Sequence, residues 1–301
     1  MSEPLISVII PTCGRLDALR GALDLLMPQI EASDVKCEVL VCDDSGLNHV
    51  QSLIQDCFPG AHWHPVSRTG AGACRNAGAD RASGEWLIFI DDDVLPQAAL
   101  ISAYAQAFIS ASESDVAFEG ATLLDRPSPS LLWEAPCNPD CNGHPSSNWG
   151  IRKTFFLKIN GFDERYLRAQ DIEFAARIEA MGYVFHPLRR AVVIHPLRRI
   201  PAARKLADRW QYKLLYTLEI GMEPSTARYR IPWHAFRVIQ SRFRSQPLNW
   251  ENLLARYIFA VEWIYVLFLT PRWIKKWSRV RGTGFWPDKV SAGYSIAKYG
   301  L

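Results

Sequence analysis

The chain has 301 residues, 49% of them hydrophobic and 22% charged, and a formal net charge of +3. This composition belongs to a globular protein able to bury a full core, excludes a disordered chain, and suits one or two domains. Seven cysteines, an odd number scattered along the sequence, do not form a disulfide framework and point to a reducing, cytoplasmic compartment.

The charge is unevenly placed. Residues 1–200 hold 17 Lys+Arg against 25 Asp+Glu, a balance of −8, whereas residues 201–301 hold 17 against 6, a balance of +11. Seven of the 11 tryptophans also fall in that last third, which places an organisational boundary near Pro201. Met1–Pro4 lacks the basic start of a signal peptide, and the apolar run after it is too short for one. The best candidate membrane span, Tyr257–Thr270, covers 14 residues and carries Glu262, short of the roughly 20 residues a crossing needs.

In chain order, Leu5–Ile10 is an apolar run ended by Pro11, the pattern of a strand buried on both faces. Leu16, Leu19, Leu23 and Leu26 recur at helical spacing. Glu38–Cys42 is a second buried strand running into Asp43-Asp44-Ser45-Gly46; Val50, Leu53, Ile54 and Cys57 suggest a helix, and His62–Val66 a short strand. Ala71–Ala82 reads as a helix of small residues, and Trp86–Ile90 as the strongest strand, running directly into Asp91-Asp92-Asp93. Strands alternating with helices at this spacing predict a mostly parallel sheet covered by helices, with ligands bound outside the carboxyl ends of its strands. Both acidic clusters fall at that edge.

Three adjacent carboxylates repel one another unless a cation or ordered water neutralises them, and hard oxygen ligands at a strand end suit Mg²⁺ or Mn²⁺. A solvated acidic turn is the alternative; the preceding apolar strand and Pro96 favour the metal. Asp43-Asp44-Ser45-Gly46 reads as a turn or as a carboxylate pair for a base or ribose. Arg68–Gly72, with Arg75, Asn76 and Gly78, is a glycine-bearing loop opening a helix, a favourable place for phosphate but not a P-loop. Downstream lie Ser147–Lys153, Asn160–Tyr166, and Gln170-Asp171 at the start of an amphipathic helix with Phe174, Ile178 and Met181 on one face. Asp171 could be no more than a favourable first-turn acid. Val192–His195 is a strand ending in histidine. Cys137, Cys141 and His144 have the look of half a zinc site, but no second ligand pair follows, and they read as loop residues.

Together these segments resemble the family 2 glycosyltransferases of GT-A fold, over about Leu5 to Pro196 and in the family's order. Ser7–Pro11 is similar to the family's opening strand, Cys42–Ser45 to its Asp-Asp signature, Arg75-Asn76-Ala-Gly78 to its Arg-Asn-x-Gly, Phe89–Asp93 to its Asp-x-Asp site, Asn160–Glu164 to Gly-Gly-Phe-Asp-Glu, and Gln170-Asp171 to the Glu-Asp pair carrying the base. The resemblance implies a GT-A domain over residues 1–200, its nucleotide half about 1–96 and its acceptor half about 97–200, followed by a helical region over 201–301. It implies that Asp44, Asp43 and the backbone near Pro11 hold the base and ribose, that Arg15, Arg75, Asp91 and Asp92 serve the donor, and that Asp93, Asp91 and His195 bind Mn²⁺ or Mg²⁺. Asp171 becomes the general base, with Asn148, Trp149, Asp163 and Gln170 on the acceptor side. The implied activity is inverting transfer of one sugar from a nucleotide diphosphate donor to a saccharide or lipid-linked acceptor. Gln170 departs from the family's Glu, Asn160 from its first Gly, and Leu206 from the Gln of the processive Gln-x-x-Arg-Trp, although Arg209-Trp210 is present.

In the last third, residues 202–220 predict a helix with Leu206, Trp210, Leu214, Leu215 and Leu218 on its apolar stripe, and Asn252–Trp277 one long helix or two broken at Pro271. Basic helices with tryptophans suit an anionic membrane surface, at the inner face of the membrane; packing on the catalytic domain or another subunit is the alternative. No nucleic-acid motif is present. Two other functions fit parts of the pattern. A sugar nucleotidyltransferase would need a glycine-rich basic N-terminal loop, for which Pro11–Arg15 is too sparse, and a non-catalytic sugar-nucleotide binder would need no base at Asp171.

Overall fold

The computed structural model describes residues 6–67, 70–244 and 246–279. Leu5 of the opening strand, Arg68 and Thr69 of the glycine-bearing loop, and Trp286 lie outside the described residues. The elements run β1 (Ile6–Thr12), α1 (Leu16–Glu31), β2 (Cys37–Asp43), α2 (His49–Cys57), β3 (Ala61–Pro65), α3 (Ala71–Arg81), β4 (Trp86–Ile90), β5 (Leu95–Pro96), α4 (Leu100–Ser110), β6 (Ala117–Leu124), β7 (Trp133–Glu134), β8 (Asn148–Arg152), α5 (Lys153–Lys158), α6 (Gln170–Ala180), β9 (Phe185–His195), β10 (Arg198–Arg199), α7 (Ala203–Ala207), α8 (Trp210–Glu219), α9 (Pro224–Arg242) and α10 (Trp250–Trp277). They form two compact units, Met1–Asp125 with Pro136–Pro196, and Arg126–Ala135 with Leu197–Leu301.

The first unit is an eight-stranded sheet in the order β3-β2-β1-β4-β8-β6-β9-β5. β3, β2, β1 and β4 run parallel, as do β6 and β9; β8 runs antiparallel to β4 and β6, and β5 to β9. Residues alternate between two buried layers: Val8 and Ile10 join Leu19, Val39 and Ile88 under α1, α2 and α4, while Ile9 joins Leu40, Phe89, Trp149 and Phe174 on the other face. Strands buried on both sides read as unbroken apolar runs, which is why they were legible. β1 continues through Pro11, opposite Cys42 of β2, because its pairing with β4 ends at Ile9 and no ladder donor is needed there on that side. α3 lies unusually close to β1: a Cβ at Gly78 would stand 2.5 Å from Ile9 Cγ2. Phe174 and Ile178 are buried, but Met181, just past the end of α6, is exposed.

The segment before β8 is tied down by an ionic cluster. Glu119 of β6 accepts hydrogen bonds from Asn138 Nδ2 (2.7 Å) and the His144 amide (2.6 Å), and its second oxygen lies 2.8 Å from His144 Nδ1. His144 Nε2 lies 3.5 Å from Glu179 of α6. The His144 ring is therefore occupied by carboxylates, while Cys137 is exposed and Cys141 buried. Burial alone would lower the His144 pKa, but hydrogen bonds to Glu119 and Glu179 outweigh it and raise it to about 9. An unfolded histidine loses its proton near 6.5, so this stabilisation is complete below pH 6.5 and lost as pH rises through 9. Chemical denaturation at pH 6 and pH 10 should show a loss on the order of 2–3 kcal/mol that His144→Gln abolishes.

The second unit contains the β7–β10 ribbon and helices α7 to α10. The stripe Leu206, Trp210, Leu214, Leu215 and Leu218 is buried, although a turn divides it between α7 and α8. α10 is one helix of 28 residues that passes through Pro271 without a break. It is thus twice as long as the candidate span read from sequence. Among the described residues it is the one helix long and apolar enough to cross a membrane, with mean hydropathy 1.6 over its best window.

Candidate active site

The parallel sheet directs the carboxyl ends of β1, β2, β4 and β9 to one edge. β4 releases Asp91-Asp92-Asp93 there, and the chain then doubles back so that β5 pairs antiparallel with β9, Leu95 opposite Ile194. That register brings His195, 102 residues after Asp93 in the sequence, beside it. One ligand atom from each of Asp91, Asp93 and His195 lies within 4.8 Å of the others. His195 Nδ1 is 3.2 Å from the Pro196 carbonyl, which can only accept. Nδ1 therefore carries a proton, and Nε2 lies 3.6 Å from Asp93 Oδ1. Two carboxylates and an imidazole nitrogen fit Mn²⁺ or Mg²⁺.

The three aspartates divide in two. Asp92 points inward and is 0% exposed, bound by Thr12 Oγ1 (2.6 Å) and the Arg15 guanidinium. Burial pushes its pKa up to about 6 despite Arg15 and Thr12. It anchors the turn against Thr12 and Arg15. Arg15 also reaches Asp93 at 2.5 Å and stays half-exposed at the mouth of the site.

Arg75, on α3, is 1% exposed, bonds Asp91 Oδ1, and stacks over Phe162 with its Cζ 5.4 Å from the ring centroid. Among the described residues its Nε and Nη1 find no hydrogen-bond partner. Asp171 stands at the start of α6, which the chain enters through a left-handed Ala169 (φ +58°). Its carboxyl is raised above the ordinary range, first by burial; the Ile172 amide and Arg75 pull it down, and Asp91 pushes it up. Asp171 thus shares one electrostatic environment with Arg75 and Asp91.

Asn76 was not singled out from sequence as an organiser, yet it holds this arrangement together. Its Nδ2 donates to the Phe162 carbonyl (2.8 Å) and Glu164 (3.1 Å), while its Oδ1 accepts from the Phe162 amide (2.8 Å). The turn it grips uses left-handed Asn160 (φ +62°) and Gly161 (φ +59°), and a Cβ on Gly161 would lie 2.5 Å from Asn76 Oδ1. The only signal in the sequence was its place between Arg75 and Gly78.

Four other residues named from the resemblance are engaged within the protein. Asn148 is 0% exposed and fully engaged: it accepts from Tyr104 Oη (2.9 Å) and donates to the Ala121 and Ala191 carbonyls. Trp149 is also 0% exposed, stacked among Phe162, Phe174 and Phe185. Asp163 is buried against Arg165, and Asp43 spends both oxygens on the Ser45 amide and Trp63 Nε1. Gln170 remains half-buried beside Asp171, its Oε1 without a partner. Asp44 is half-buried and accepts from the Gly70 amide (2.6 Å), and Pro11 is buried in β1.

A sheet of this order, with acidic ligands at its carboxyl edge, is the GT-A fold of nucleotide-diphospho-sugar transferases. Residues 7–118 match the model of Glycosyl transferase family 2. An uncharacterized glycosyltransferase of Haemophilus influenzae is 30% identical over 89 residues, which span 30% of this chain and 29% of the relative. Among solved structures, the mannosyltransferase PcManGT from Pyrobaculum calidifontis, in complex with GDP-Man and Mn²⁺, superposes with a TM-score of 0.56 at 17% identity, over 90% of this chain and 88% of that one. TarS of S. aureus, residues 1–349 in complex with UDP, gives 0.48 at 14% identity, over 90% and 91%.

Proposed function

We propose that the protein is an inverting, metal-dependent hexosyl- or deoxyhexosyltransferase that moves one sugar from a nucleoside diphosphate donor to the hydroxyl of a saccharide or lipid-linked glycan. The reading includes a cytoplasmic setting, at an anionic membrane surface where glycans or polysaccharides are assembled. The observation that carries it is the group Asp91, Asp93 and His195, within 4.8 Å of one another, in electrostatic reach of the half-buried Asp171 carboxyl. The donor and cation named for the mannosyltransferase of like fold point the same way.

Asp91, Asp93 and His195 would hold the cation, which when bound would stabilise the negative charge growing on the departing diphosphate. Arg75 fixes Asp91 from below and, as a buried cation, adds to the positive field around the leaving group. Asp44 faces the base and ribose, and Arg15 lies at the mouth for the diphosphate. Asp171 accepts the proton of the acceptor hydroxyl while its oxygen forms a bond to the anomeric carbon and the bond to the diphosphate breaks. A base and a leaving group on opposite sides of that carbon invert its configuration. The raised pKa of Asp171 makes it a better base than an exposed aspartate.

Thermal stabilisation by UDP-, GDP- and dTDP-sugars with Mn²⁺ tests the donor, because a ligand selective for the native state raises stability by mass action. One donor class should stabilise only with the cation and be converted to free nucleoside diphosphate. Release of pyrophosphate would instead mark a nucleotidyltransferase, and binding without turnover a sugar-nucleotide binder.

A further inference from the structure

α10 is apolar on both sides, yet only one side is covered. Ala255, Phe259, Val266, Leu269 and Trp273 are buried within its own unit, and Glu262 among them is held by Arg209 (3.0 Å) and Trp210 Nε1 (2.8 Å). The opposite stripe carries Trp250, Leu253, Leu254, Tyr257, Ile264 and Phe268, with Tyr257 67% and Phe268 74% exposed. These positions recur every three or four residues and share one helical face. On α9 the outward face presents Tyr229, Trp233 (60% exposed) and Phe236. Phe236 meets Trp263 of α10 at 5.6 Å between ring centroids, which joins the two stripes into one surface. Ordinary solvent-facing helices are polar there, so a contiguous aromatic surface of this kind marks a docking face.

Charge selects what covers it. From Pro224 to Trp277 the sequence has nine Lys+Arg and two Asp+Glu, and one of those two is the buried Glu262. Arg228, Arg230, Arg237, Arg272 and Lys275 are exposed. Arg237 lies over the Trp233 ring, 5.2 Å from its centroid. Exposed Trp, Tyr and Phe ringed by cations fit the headgroup layer of an anionic bilayer, where rings bury their apolar bodies and cations meet phosphate. A second protein copy would bring the same positive charge against itself.

We propose that the joined outer faces of α9 and α10 dock flat on an anionic lipid bilayer, with α10 lying in the interface rather than crossing it. A crossing would strip Glu262 from Arg209 and Trp210 and place it in hydrocarbon, a costly state. Lying flat keeps that pair and wets the cationic rim. The docking face identifies the membrane partner of the transferase reading and rests on it for its role. Vesicle binding is measured without donor or acceptor, so loss of docking leaves sugar transfer standing, and loss of transfer leaves docking standing.

The full chain, mixed with phosphatidylglycerol vesicles at low salt, should co-sediment, stay in solution with phosphatidylcholine vesicles, and be released by about 0.5 M salt as charges are screened. Trp233→Ser with Phe268→Ser should weaken binding at least tenfold, and each of Arg230→Ser, Arg272→Ser and Lys275→Ser about fivefold. These side chains are exposed, so thermal melting should be unchanged in every variant. Brominated acyl chains should quench wild-type tryptophan fluorescence. Wild-type protein that ignores anionic vesicles overturns the proposal, as does a stable dimer whose dissociation by the Trp233–Phe268 double variant shows that a second copy covers the face.

Discussion

Asp171→Asn should lower turnover about a thousandfold, the usual scale of a lost general base, while donor binding survives. Asparagine keeps the size of the side chain and can still accept the Ile172 amide, so the start of α6 should hold its shape. What disappears is the ability to take a proton. Removing the negative charge also lifts its repulsion with Asp91, so affinity for an anionic donor should hold or rise. The measurement pairs kcat for transfer with donor-induced thermal stabilisation. Turnover within tenfold of the unaltered protein would remove Asp171 from the role of base.

Asp93→Ala should cost turnover on the order of a hundredfold or more, through loss of several kcal/mol of charge stabilisation at the leaving group. Here, unlike at Asp171, cation binding should fail with activity. Mn²⁺ alone should stabilise the unaltered protein to heat and leave the variant unmoved, and excess chelator should reproduce the variant's activity loss. Arg15 keeps its grip on Asp92 in the variant, so the turn itself should persist. Full activity in chelator would overturn metal dependence, whatever the variant does.

Much of this arrangement was legible because local chemistry and tertiary position agree. β1, β2 and β4 are buried on both faces, so their apolar runs and the acids that end them could be read directly. His195 was different. Nothing local distinguishes it from a structural histidine, and its neighbourhood to Asp93 exists only through the β5–β9 pairing, which joins residues about a hundred apart; the family resemblance supplied what spacing could not. The engagement of Asn148 was not legible either: β8 is an interior strand, and there a polar side chain must spend its hydrogen bonds on the protein. α10 hid its exposed face because its two sides are equally apolar and a sequence reading cannot tell covered from bare. Pro271 suggested a break that did not occur: it stands on the exposed side of the helix, where the one missing amide donor is easily tolerated.

The inward turn of Asp92 changes how substitutions in this triplet should be interpreted. Its neighbours lie on the working side of the strand end, and it alone is fully buried and held by Thr12 as well as Arg15. A scan that finds all three aspartates essential would therefore be reporting two different failures, an empty cation seat on one side and a loosened hinge between the first and fourth strands on the other.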